Sequence, residues 1–97
     1  MKITFAKENC ALIVILEGRL DTTTAPEFET FLNTNVNGVE SLTVNCEKLA
    51  YVSSAGLRVL LGAHKKMKGA IKLVGVQELV MEVFEMTGFA DIFAIEQ

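Results

Sequence analysis

The sequence predicts a single small α/β domain on a mixed, mostly parallel sheet with an N-terminal antiparallel hairpin, and three observations predict it. Short β-branched apolar runs alternate with segments of helical period. The first two runs adjoin across a short polar stretch, the mark of a hairpin. Each later run is separated from the next by a helical segment, as right-handed crossovers between parallel strands require. The 97 residues contain no linker, repeat or low-complexity segment, so residues 1–97 read as one domain in the order β-β-α-β-α-β-α-β.

The hairpin strands are "KITF" (2–5) and "CALIVILEG" (10–18), joined by the turn "AKEN". The second run is apolar at odd and even positions, which predicts a central strand covered on both faces or at its ends. Thr24, Ala25, Pro26 and Glu27 form a capping-box pattern with proline in the first helical turn. Ala25, Phe28, Phe31 and Leu32 then share one helix face. Asn37-Gly38 breaks the chain, and "SLTVNC" (41–46) reads as the third strand. After "LAYVSSAG" (49–56), an apolar stripe at Leu57, Leu60, Leu61 and His64 or Met67 marks a second helix. Lys65, Lys66 and Lys68 suit the negative end of its dipole, and Gly69 stops it. "AIKLVGV" (70–76) is the fourth strand. The third helix carries Leu79, Val80, Val83 and Phe84 on one face and Glu78, Glu82 and Glu85 on another, and ends at Gly88. "DIFAI" reads as a short last strand.

Composition narrows the function. A net charge of -3 gives no reason to expect nucleic acid or an anionic membrane as partner. Cys10 and Cys46 have no CxxC or Cys/His companions and fall in apolar stretches, so both read as buried free thiols, suited to a reducing cytoplasm. "KITFAKEN" after Met1 has no apolar signal-peptide core, and no run approaches membrane-span length. The expectation is a soluble cytoplasmic protein, monomeric by default, with no membrane insertion, cofactor or metal.

Sites in such sheets gather where strands end and helices begin. Two loops qualify, "RLDTTT" (19–24) and "LAYVSSAG" (49–56), and parallel strands bring both to one edge. Asp21 is either a site residue or a turn cap. Ser53 is placed to cap the second helix. Ser54 then becomes its first residue, where a phosphate of about -1.5 to -2 charges meets the favourable end of the dipole. A partner docked there meets a new charge that costs it several kcal/mol. Catalytic patterns are absent: Val52 stands where a nucleophile elbow needs glycine, and His64 lies roughly 15 Å along the helix from Ser54. Phosphate-loop and dinucleotide fingerprints do not occur, and the lysine cluster reads as a solvated helix end. No enzyme activity is expected.

"LEGRLDTTTAPEFE", "SLTVNCEKLAYVSSAGLRVLLGAHKKMK" and "AIKLVGVQELVMEVFEMTGFADIF" together resemble a bacterial anti-sigma factor antagonist, a STAS-domain protein. The resemblance spans nearly the whole chain. Its most specific parts are G-x-L-D at Gly18–Asp21, S-x-G-L at Ser54–Leu57 and the pattern at residues 84–89. It implies a switch without catalysis. The unphosphorylated protein binds an anti-sigma factor that is also a GHKL-type serine kinase, and a sigma factor is released. Phosphorylation breaks the complex, and a metal-dependent serine phosphatase restores it. The S-x-G-L spacing assigns the acceptor to Ser54, with Ser53 as runner-up. The implied partner surface comprises Asp21, Thr22, Thr23, Ser53, Ser54, Ala55, Gly56 and Arg58. Phosphorylated members of the family typically carry aspartate just before the acceptor, whereas here that place holds Ser53. STAS modules also serve as unphosphorylated adaptor subunits of lipid-transport ABC complexes and within sulfate transporters, which is the alternative use of the same domain.

Overall fold

The computed structural model describes residues 1–97. Its elements are β1 (Lys2–Glu8), β2 (Ala11–Leu20), α1 (Ala25–Asn35), β3 (Ser41–Val52), α2 (Ser54–Lys66), β4 (Ile71–Val74), α3 (Glu78–Thr87), a 3-10 turn (Phe89–Asp91) and β5 (Ala94–Glu96). The strands lie side by side in chain order. β1 and β2 are antiparallel, and every later pair is parallel. The predicted fold class and element order hold.

β1 and β3 run well past their predicted bounds, β2 reaches Leu20, two residues past its own, and β5 spans only Ala94–Glu96. β1 continues through "AKE", and the turn is made instead at Asn9 and Cys10. Asn9 takes a positive φ of 56°, which asparagine tolerates better than most residues. β3 continues six residues past Cys46, to Val52. Its pairing with β2 shifts register twice on the way, between Ile15 and Glu17 and between Gly18 and Arg19. Each shift inserts an extra residue into β3 and so breaks the alternation that marks a strand in sequence. Cys46, Leu49 and Val52 are buried at intervals of three, with exposed residues between.

The expectation of cover on both faces of β2 is corrected. Leu12, Val14 and Leu16 are fully buried, while Ile13 and Ile15 are 36% and 37% exposed. Parallel strands laid down in chain order by crossovers of one hand place all their helices on one side. The register agrees: Leu12, Leu42 and Ile71 form one buried row across three strands, and Val14, Val44 and Leu73 form the next. The opposite face carries the row Ala6, Ile13, Thr43, Lys72 and Ala94. Lys72 forms an ion pair with Glu96 there at 3.1 Å.

The helices bury most of the expected stripes, Met67 included, while Phe31, Leu61 and Val83 are only half-buried. Leu79 is 69% exposed, because α3 turns Val80 and Phe84 into the core instead. In α2, Val59 and Ala63 join Leu57 and Leu60 in the buried stripe, while the half-buried His64 sets its ring edge-on to Phe93 at 5.5 Å. Gly88 caps α3 at φ 79°, a left-handed conformation that glycine adopts without steric cost. The reading of both cysteines as buried is half corrected. Cys10 sits in the hairpin turn and is exposed. Cys46 is buried, and desolvation pushes its thiol up to about 12, out of reach of thiolate chemistry at neutral pH.

Candidate functional site

β2 ends at Leu20 and β3 at Val52, and these two residues are register partners. The Ser53 N–H donates to the Leu20 carbonyl at 2.9 Å. The two predicted loops therefore open side by side at the C-terminal edge of the parallel strands. Asp21 follows Leu20, and Ser54 follows Ser53.

Asp21 organises the first loop. Its Oδ1 accepts from the N–H groups of Thr23 at 3.0 Å and Thr24 at 3.1 Å. Its own N–H donates to Thr24 Oγ1 at 2.9 Å, and that hydroxyl donates to the Arg19 carbonyl at 2.7 Å. The capping box predicted at Thr24 and Glu27 is therefore corrected. Thr24 takes helical backbone angles and makes no side-chain cap, because its hydroxyl is committed to the turn behind it. The Thr24 N–H does most to hold the Asp21 carboxyl below its ordinary value of 3.8, opposed by partial desolvation and helped by the Thr23 N–H, the Thr24 hydroxyl and Arg19.

Ser53 starts α2. Its extended backbone leaves the helix, and its Oγ accepts from the Gly56 N–H at 3.4 Å. Ser53 is half-buried, while Ser54, the first residue of α2, is exposed. Gly56 is buried, and a Cβ there would stand 2.7 Å from Leu20 Cγ and 2.8 Å from the Leu20 carbonyl oxygen. The glycine of S-x-G-L thus lets α2 settle onto the end of β2, and it meets the chain's own Leu20 rather than solvent.

Of the predicted partner residues, Thr22, Thr23, Ser54 and Arg58 are exposed, and Asp21, Ser53 and Ala55 are half-buried. Arg58 lies four residues after Ser54, on the same side of α2, and makes no ion pair. Sequence reasoning missed Arg19 and Tyr51, which are partners on β2 and β3 just short of the edge. The Arg19 guanidinium lies over the Tyr51 ring at 4.3 Å and reaches Asp21 Oδ2 at 3.8 Å. The available signal was position: each residue immediately precedes a buried strand terminus. No three His, Cys, Asp or Glu side chains gather into a group that could hold a metal.

This arrangement presents one free hydroxyl at the positive end of a helix, beside a hydrogen-bonded turn, on an exposed edge. The STAS domain family model matches residues 2–97. The chain belongs to the STAS family. BtrV of Bordetella bronchiseptica, assigned as an anti-sigma factor antagonist, is 35% identical to this STAS chain over 99 residues, covering 98% of the chain and 85% of its own length. The anti-sigma-B factor antagonist of Staphylococcus aureus is 31% identical over 84 residues, covering 82% of the chain and 78% of its own length. The fold matches that of an anti-sigma factor antagonist from Mycobacterium paratuberculosis with a TM-score of 0.87 at 18% identity, over 98% of this chain and 84% of that one. Phosphorylated SpoIIAA from Bacillus shares the fold with a TM-score of 0.75 at 17% identity, over 99% of this chain and 92% of that one. No helix of this STAS chain is long and apolar enough to cross a membrane.

Proposed function

We propose that this STAS chain is an anti-sigma factor antagonist, a regulatory binding protein whose complex with an anti-sigma factor is broken by phosphorylation of Ser54. The observation that carries the assignment of the acceptor is the division of labour between the two serines. Ser53 is half-buried and spends its Oγ on the Gly56 N–H, so a phosphate there removes the cap of α2. Ser54 is exposed and its hydroxyl makes no bond within the chain. A phosphate on Ser54 meets the positive end of α2, with Arg58 one turn further on. The fold accepts it.

A partner seated over Thr22, Thr23, Ser54 and Arg58 has no such tolerance, because the added charge falls inside the contact. Serine in place of the family's usual aspartate at position 53 keeps the cap, since both side chains accept an N–H, and removes only a negative charge. On this reading the partner is a GHKL-type anti-sigma kinase and the reset is a metal-dependent serine phosphatase, all acting in the cytoplasm. The relatives named above favour this use of the domain over an adaptor in a transport complex.

Titration calorimetry against the anti-sigma kinase of the same cell tests the switch. Ser54→Asp weakens binding at least tenfold, about 1.4 kcal/mol or more, while Ser54→Ala stays within about threefold of the parent. Equal affinity for the two variants refutes the mechanism. Peptide mass spectrometry that finds phosphate only on Ser53 moves the acceptor by one residue.

A further inference from the structure

β1 is a free edge. Its outer side pairs with nothing, and six of its seven residues are exposed, the exception being the half-buried Ile3. The opposite edge is closed by the three-residue β5. Long free edges are normally guarded by charges that repel a second strand. Here the charges do the reverse.

We infer that two copies of this chain pair antiparallel through β1 about a two-fold axis at Phe5, making one continuous sheet. A two-fold axis that sets edge strands antiparallel stands perpendicular to the sheet, so it keeps each side chain on its own face. Opposed residues must then share parity. Among the allowed registers, only the one centred on Phe5 overlaps the whole of Lys2–Glu8. In that register Lys2 of each copy faces Glu8 of the other, and Thr4 faces Ala6, all on the face without helices. Registers shifted by two set Lys2 against Ala6, or Glu8 against Thr4, and lose both charge pairs.

On the helix side, the two Phe5 rings meet at the axis, where opposed Cβ atoms stand roughly 4.5–5.5 Å apart. Phe5 is 52% exposed in one copy, with an edge-on contact to Phe31 at 5.1 Å. A second copy covers the remainder. Ile3 faces Lys7, whose methylene stem lies along apolar surface while its ammonium stays in water. The axis keeps all helices of both copies on one side and sends the two Ser54 edges to opposite ends, so self-pairing leaves both switch loops open. A single strand pair is a small interface, and the association it supports is weak, in the micromolar range or above.

Sedimentation of the 97-residue chain from about 10 µM to about 1 mM at low salt reads the association. We expect reversible dimers, with amide exchange in β1 slowing as concentration rises. Glu8→Lys faces two lysines with two lysines and raises the dissociation constant about tenfold or more. Position 8 lies opposite Ala11 within the chain, so the fold does not depend on its charge. The gap between Glu8→Lys and the parent narrows to within about threefold at high salt, because it rests on exposed charges. A monomer at every concentration overturns the inference, as does a Glu8→Lys chain that associates as well as its parent.

Discussion

Asp21 ties its loop together with one carboxylate oxygen that serves the Thr23 and Thr24 N–H groups while its own N–H is held by the Thr24 hydroxyl. Those donors favour the ionised form, so the folded-state pKa lies below the ordinary value of 3.8. A depressed carboxylate stabilises the fold fully above its unfolded pKa, and that contribution disappears as pH falls through the folded value. The stability lead of the parent over Asp21→Asn is therefore constant at neutral pH and shrinks only below about 3.8. Urea titrations at several acidic pH values measure that lead, and a carboxyl NMR midpoint for Asp21 at or above 3.8 contradicts it. Sequence left Asp21 open between site residue and turn cap, and the structure makes it a turn cap at the edge of the site. The Thr24–Glu27 pattern misled because a capping motif does not say which N–H its hydroxyl will meet. Here a residue three positions earlier claims it.

α2 is positioned by contact as much as by its cap. Gly56 lies flat on Leu20, and an added methyl finds a buried side chain and a backbone carbonyl, neither of them the free end of a flexible chain. Gly56→Ala has helix propensity in its favour by about 1 kcal/mol, yet overpacking of this kind costs typically 1–3 kcal/mol. The contacts at 2.7 and 2.8 Å put it at the costly end, so net destabilisation of about 1–2 kcal/mol is expected by chemical denaturation. A neutral or stabilising Gly56→Ala means that α2 rides off Leu20 freely, and the glycine is then not what sets its height. The start of α2 was legible because a cap, a glycine and an apolar stripe coincide within a few residues. The last six residues of β3 were not, although they lead straight into it. Two bulges convert alternation into a spacing of three, and "EKLAYV" then reads as a loop by every local rule.

Across the whole molecule, element order and strand direction were readable because both follow from the spacing of apolar runs and the handedness of crossovers. One-sidedness was not. Ile13 and Ile15 are as apolar as Leu12, Val14 and Leu16, and the run gives no hint that only half of it is covered. The cause is global: strands stacked in chain order bring every helix to one face, whatever β2 itself contains. Val14 and Ile15 are neighbours of similar shape on opposite faces, so one substitution tests the arrangement at both. Val14→Thr buries a hydroxyl among fully buried apolar side chains with no acceptor designed for it, at a cost of about 1–3 kcal/mol. Ile15→Thr places the same β-branched hydroxyl on the open face, beside Thr4 and Asn45, where it costs less than about 1 kcal/mol. Urea denaturation of the two variants measures the difference. Equal losses mean that the second face is covered in solution, and a loss at Ile15 that grows with protein concentration identifies the cover as another copy of the chain.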